Sequence, residues 1–227
     1  MRRIIYCWVF LMSLLVITAC GGSDELIPIV EVDSIGSTTI NSNSLNFNLY
    51  GITAGVLTAE EENSLLFMRE EEKLARDVYL SLYESHGMSI FSNIAASEQS
   101  HTDAVGLLIT RYDLLDPMQT DIAGTFVNND LQIIYDALVA AGANSLLDAL
   151  YVGAQIEELD INDLHQQIAI IIDNPDMILV YENLLKGSRN HLRSFDKQIK
   201  AANGLYIPIY ISQQEYDNIV NSDMERN

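Results

Sequence analysis

The chain has 227 residues, 48% of them hydrophobic, and a net charge of −20, which suits one domain with a sizeable core plus appendages. Such acidity excludes nucleic acid and anionic lipid as partners of the protein surface, and it is compatible with attracting cations. The two cysteines, Cys7 and Cys20, exclude a disulfide framework if the first is lost with a cleaved leader.

Met1-Arg2-Arg3 is a basic start, residues 4–17 are almost unbrokenly apolar, and Ile17-Thr18-Ala19-Cys20 closes the run with small residues before a cysteine. That is the pattern of a secretory signal. Its end resembles a bacterial lipobox, in which Cys20 is lipidated and becomes the first mature residue. A transmembrane anchor is the competing reading, for which the run is short. Cleavage after residue 19 removes two Arg and no acid, taking the charge from −20 to −22. The expectation is a chain exported and lipid-anchored to a bacterial cell membrane, on its periplasmic or cell-surface face. Residues 20–57 mix Gly, Ser, Asn and Thr with short apolar pieces and read as a tether with one or two strands.

A helical domain is expected over residues 58–204. Thr58 and Glu61 form a capping box that starts a first long helix, and Gly87 stops it. Its seam is Leu65, Met68, Glu72, Ala75, Tyr79 and Leu82, so a carboxylate sits on the buried stripe. The run Glu70-Glu71-Glu72 spans about 200° of arc, so one member faces inward. Glu72 is preferred, with Glu71, flanked by Phe67, Leu74 and Val78, as its competitor. After a short turn a second helix, 89–111, runs antiparallel to the first, with the seam Phe91, Ile94, Glu98, His101, Val105 and Leu108.

Turn signals at Asp116-Pro117, Gly124 and Asn128-Asn129 then surround one short helix, 131–141, in a connection long enough for a crossover. The third long helix, 144–172, has the seam Leu146, Leu150, Gly153, Glu157, Asp160, Leu164 and Ile171. Asn174-Pro175 opens the fourth, which ends near Gly204 and carries Met177, Tyr181, Leu184, Ser188, His191 and Phe195 on its seam. Residues 205–227 read as a C-terminal extension in which Tyr206-Ile207-Pro208-Ile209-Tyr210 is extended, packs on the outside and leads to frayed final residues. The fold class is therefore all-α, a four-helix bundle with a long crossover between its second and third helices, preceded by the signal and tether.

A Glu and a His three residues apart share one helix face and can converge on one centre. Each of the four helices interrupts its seam near its midpoint: Glu72, Glu98 with His101, Glu157 with Asp160, and Ser188 with His191. In a bundle of similar-length helices those midpoints share a layer. No seam residue is Lys or Arg, and carboxylates that meet in this way repel unless protons or a metal neutralise them. The candidates are thus a metal site built from Glu72, Glu98, His101, Glu157, Asp160 and His191, and a proton-sharing polar core. Hard oxygen donors with imidazole suit iron or manganese better than copper(I), at one or two ions per chain. As ligands, they lead to the expectation that Glu98→Ala abolishes metal binding and leaves metal-free stability unchanged or raised, by relieving repulsion with Glu72 and Glu157. His86, at a helix end, suits the dipole. His165, seven residues after Glu158, could mark a peripheral site, whereas Glu182 lies on another face from His191.

Glu72-Lys73-Leu74-Ala75-Arg76 with Tyr79 is similar to the first-helix motif of rubrerythrin-type ferritin-like proteins. Glu98-x-x-His101 is similar to their second-helix motif, and Glu157-x-x-Asp160 looks like their third-helix carboxylates. More closely, residues 58–202 resemble an uncharacterised prokaryotic family of the ferritin-like superfamily, marked by 68–79, 97–101, 153–164 and Gly187-Ser188-Arg189-Asn190-His191-Leu192. The resemblance implies a ferritin-like fold and a di-iron or Fe/Mn oxidase, ferroxidase or peroxidase. Ser188-x-x-His191 stands where a second Glu-x-x-His is expected, which removes the carboxylate that commonly bridges the two metals. Asp160 could supply that charge, or the site could hold one metal. The alternative is a non-catalytic metal-binding or structural module. Metal ions and, through the lipid, a membrane are the expected partners; a homo-oligomer is left open.

Overall fold

The computed structural model describes residues 28–226; the leader and Cys20 lie outside them. Among the described residues there are seven helices and one two-stranded sheet. Strands β1 (Val30–Val32) and β2 (Thr38–Ile40) pair antiparallel with Val32 opposite Thr38. The helices are α1 (Ser42–Tyr50), α2 (Ala59–His86), α3 (Ser89–Arg111), α4 (Asn129–Gly142), α5 (Leu146–Ile170), α6 (Pro175–Ala201) and α7 (Gln213–Val220).

The start of α2 is set by reciprocal bonds: the Glu61 amide donates to Thr58 Oγ1 at 3.1 Å and the Thr58 amide to Glu61 Oε2 at 2.8 Å. The other oxygen of Glu61 accepts from the Ile172 amide at 3.0 Å, tying this helix start to the α5–α6 turn. At the far end Gly87 adopts φ +67°, a left-handed cap open to glycine without steric cost. With only Gly87 and Met88 between them, α2 and α3 pack along each other, as α5 and α6 do; α2 also meets α5, and α3 meets α6. The shared interior is lined by Leu65, Met68, Val78, Phe91, Tyr181 and Phe195, all buried, each contributing about 2 kcal/mol. Leu146, expected on the α5 seam, is instead 42% exposed, in the helix's first turn. No helix of the described residues is long and apolar enough to cross a membrane.

The connection 112–128 lies over α2 and is fixed to it by charge. Arg69 pairs with Asp116 at 2.9 Å and Arg76 with Asp121 at 2.5 Å. Lys73 Nζ donates to the Ile122 carbonyl at 2.9 Å, and Asp77 accepts from the Gly124 amide at 2.9 Å. Glu70 accepts from the Asn128 amide at 2.9 Å and from the Val127 amide. The face of α2 that would otherwise meet solvent is thereby covered, and Glu70, Glu71 and Glu72 are all buried rather than one of the three.

Two further segments depart from the expected outline. Residues 28–57, read as a tether, hold the hairpin and α1, which Asn41 caps through its side chain; Leu45 and Leu49 of α1 are buried. At the other end, residues 205–211, expected to be extended, bend at 209–211 around Glu158, whose Oε1 accepts from the Ile209 and Ile211 amides at 2.6 and 2.7 Å. Helix α7 follows, and the last described residues, 225 and 226, are anchored rather than frayed. Glu225 pairs with Arg189 and Arg193 at 2.5 and 2.8 Å, and Arg226 donates to the Val32 carbonyl at 2.9 Å, joining the C-terminus to the hairpin.

Candidate metal centre

Helices α2, α3, α5 and α6 each bring one or two titratable side chains to a common level. Glu72, Glu98, His101, Glu157 and His191 are at most 2% exposed. Glu98 is at the middle: its Oε2 lies 2.8 Å from His101 Nδ1 and its Oε1 2.9 Å from His191 Nδ1. Glu72 approaches His101 Nδ1 at 3.4 Å, and Glu157 approaches His191 Nδ1 at the same distance. The imidazoles stack, with ring centroids 5.5 Å apart and planes 20° apart. Two sets of donor atoms result, Glu72–Glu98–His101 and Glu98–Glu157–His191, each within 4.8 Å and sharing Glu98.

The helix backbone makes room for this arrangement at Gly187. A Cβ there would come within 2.5 Å of His101 Cε1 and 2.7 Å of its Nε2, so any side chain on α6 at this position would displace the ring. Tyr79 donates from its hydroxyl to Glu157 Oε1, which leaves Oε2 as the oxygen nearest His191. Asp160 belongs to neither donor set. One of its oxygens accepts from the Ser188 hydroxyl and the other has no partner. Ser188 thus holds a carboxylate from the neighbouring helix.

Two charge patterns follow. Burial alone would raise Glu98, but the imidazoles of His101 and His191 outweigh it and hold this carboxyl far below its ordinary range. Burial raises Glu72 and Glu157 to about 7, with His101 and His191 respectively moderating the rise. Burial would lower the histidines, yet the facing carboxylates prevail, lifting His191 to about 9 and His101 well above its usual value. Asp160 is pushed well up by burial and then by Glu72. The metal-free centre is therefore a carboxylate clasped between two imidazoles whose hold on protons is strengthened, surrounded by acids whose hold is strengthened too. This pairing reverses the sequence-based expectation for Glu98→Ala: the truncation removes the group that both rings face, rather than a source of repulsion.

Ion-pair distance is not hydrogen-bond alignment. Both oxygens of Glu72, one of Glu98, one of Asp160 and the Nδ1 atoms of both histidines have no aligned hydrogen-bond partner. Buried polar atoms left so are costly, and here six of them gather on four helices. A cation would satisfy them, and each donor set offers one imidazole nitrogen and two carboxylate oxygens, a hard mixture suited to iron or manganese.

The competitor Glu71 is buried as well, with both oxygens unpartnered, and it faces Asp160 and Asp163 outside the donor sets. His86 bonds the Gly142 carbonyl at 2.7 Å and His165 lies 3.5 Å from Glu215, both away from the centre. Sequence reasoning missed Thr38 and gave Ser97 no role of its own, yet both touch the histidines. His101 Nε2 lies 3.0 Å from the Thr38 carbonyl, and His191 Nε2 lies 3.0 Å from Ser97 Oγ. Thr38 acts through its main chain, which leaves no signature in residue type; a serine beside a seam Glu was the one available signal.

Residues 61–223 match the model of an uncharacterized protein domain, DUF2202. The chain is 49% identical over 170 residues to the uncharacterized protein MJ0754 of Methanocaldococcus jannaschii, covering 75% of this chain and 91% of the relative. The crystal structure of the hypothetical protein MJ0754 from Methanococcus jannaschii superimposes with a TM-score of 0.75 at 48% identity, covering 77% of this chain and 99% of that one.

Proposed function

The chain belongs to the DUF2202 family, and we propose that it is a ferritin-like four-helix-bundle protein, exported and lipid-anchored through Cys20, whose Glu98-centred site binds iron or manganese. In this reading α2, α3, α5 and α6 form the bundle, and 112–145 is the crossover between its halves. The observation that carries it is the pair of buried donor sets, drawn from four helices and sharing Glu98, beside oxygens of Glu72 and Asp160 with no hydrogen-bond partner. Structural polar cores satisfy their members; here the imidazoles face Glu98 as ion pairs, and oxygens of Glu72 and Asp160 have no hydrogen-bond partner.

Bound iron or manganese would supply the redox chemistry for reducing dioxygen or peroxide, which makes an oxidase, ferroxidase or peroxidase the activity class. The chain's own residues prepare the site. His101 with Glu72, and His191 with Glu157, form two flanks, and Glu98 serves both. Tyr79 orients Glu157, while Ser188 restrains Asp160 so that one of its oxygens is free. Burial excludes bulk water and strengthens each electrostatic contact. Protons on the imidazoles and on Glu72 and Glu157 hold the positive charge that a cation would replace, so binding releases protons.

One observation favours a second reading, a binding module without turnover. The two donor sets hold three carboxylates between them and α6 adds Ser188 rather than a further one, so the centre has fewer anionic donors than two redox-cycling ions commonly use. Anaerobic loading with ferrous iron, followed by air or peroxide, separates the two. Rapid oxo-bridged ferric absorbance at near two irons per chain supports the enzyme, binding without oxidation supports the module, and no stoichiometric binding refutes both.

A further inference from the structure

We propose that the β1–β2 hairpin, acting through the Thr38 main chain and Ser97, is the positioning element that turns both imidazoles toward Glu98. The proposal rests on the metal reading of that site but concerns residues that touch no donor oxygen of it. The hairpin lies wholly outside residues 61–223, the stretch matching the family domain.

The hydrogen-bond logic closes on one peptide and one hydroxyl. A carbonyl only accepts, so the contact between His101 Nε2 and the Thr38 carbonyl places a proton on Nε2 and leaves the Nδ1 lone pair for a ligand when the ring is neutral. Ser97 gives its single proton to the same carbonyl, so its oxygen can only accept from His191 Nε2 at 3.0 Å. The Thr38 amide completes the circuit by donating to Ser97 Oγ at 3.0 Å. That amide also donates to His191 Nε2 at 3.2 Å, so its hydrogen is shared between the Ser97 oxygen and the ring nitrogen. Ser97 therefore tips a balance at the neutral ring: its oxygen accepts a proton carried on His191 Nε2, and without it the Thr38 amide is the group left facing that nitrogen, which favours the ring proton on Nδ1 and blocks that donor.

The hairpin is bolted in place from both sides. The Ile40 amide donates to Ser100 Oγ at 2.9 Å, and Asn190 Nδ2 donates to Thr38 Oγ1 at 3.0 Å. Ser194 Oγ donates to the Ile35 carbonyl at 2.6 Å. Thr38 is fully buried, so solvent does not compete for its main-chain groups. Groups that orient a metal-bound histidine in this way typically change affinity by about 10- to 100-fold.

The test is Ser97→Ala, with Ser97→Thr as the variant that keeps the hydroxyl, read by ring-nitrogen NMR and by anaerobic zinc(II) and manganese(II) titration of the full mature chain. Wild type should show two protected Nε2–H protons. Ser97→Ala should lose the His191 signal, keep that of His101 and bind one of two ions about 10- to 100-fold more weakly, and Ser97→Thr should restore both readouts. Absence of the protected protons in wild type, or a Ser97→Ala protein matching wild type in spectrum and affinity, overturns the proposal. The wild-type and Ser97→Thr spectra decide it even if the alanine variant does not fold. A wild type that has the protected protons and shows the Ser97→Ala change, yet binds neither ion, upholds the positioning role and refutes the metal reading alone.

Discussion

Replacing Glu98 with alanine removes the carboxylate between two buried imidazoles, 2.8 and 2.9 Å from their Nδ1 atoms. His191 is raised from 6.5 to about 9 by Glu157 and Glu98 against burial, a difference worth about 3 kcal/mol. Removing one partner of a buried pair typically costs about 3–5 kcal/mol, and the lower edge, about 3 kcal/mol, applies where the groups left behind can neutralise. Each ring can shed its proton, which keeps the loss from growing further. Urea unfolding at neutral pH in the presence of chelator measures it. Glu98→Ala should unfold about 3 kcal/mol more easily and bind no metal with or without chelator, while Glu98→Gln, which retains an acceptor, should lose less. A metal-free Glu98→Ala protein as stable as wild type, or more so, would refute the clasp.

The pH dependence should reverse with metal. The raised histidines contribute stability that is present below their unfolded value and lost as pH climbs through about 9, and Glu72 and Glu157 add a penalty that grows up to about 7. In both cases the folded chain holds more protons than the unfolded one, so chelated protein should become less stable from pH 5 to 9. Loaded protein should gain stability between pH 5 and 8, since its ligands must lose protons, and parallel melting curves for the two forms would count against the site. Gly187→Ala should push His101 out of place, costing about 1–3 kcal/mol and weakening metal binding, as read by melts and zinc titration; an unchanged affinity would show that the ring is not held there. Cys20→Ser should release the protein from membranes or leave an uncleaved precursor, because the lipidated cysteine would carry most of the membrane affinity, and wild-type fractionation and mobility would refute lipidation.

Both ends of α2 were legible because local chemistry fixes them: the Thr58–Glu61 box and the left-handed Gly87 cap need no tertiary information. The site was legible where a titratable side chain interrupted an apolar seam, as at Glu98 and His101. The three-glutamate run was misread because its members face three different surroundings: Glu72 meets His101, Glu71 meets Asp160 and Asp163, and Glu70 is buried because residues 127 and 128 bring their amides to it. Thr38 was invisible for a different reason. Its contribution comes from a carbonyl and an amide that almost any residue carries, so placement rather than residue type gives it a role. The reversal at Glu98 has the same origin, because sequence spacing reveals which groups share a layer but not that two of them clasp a third.

The most direct test of the central claim is elemental analysis of the full mature protein purified without chelator, alongside Glu98→Ala prepared identically. Iron or manganese at about one to two ions per chain in the wild type, and none in the variant, is the predicted result. Wild-type protein that contains no stoichiometric metal, and takes up none when ferrous iron or manganese(II) is supplied anaerobically, would contradict it.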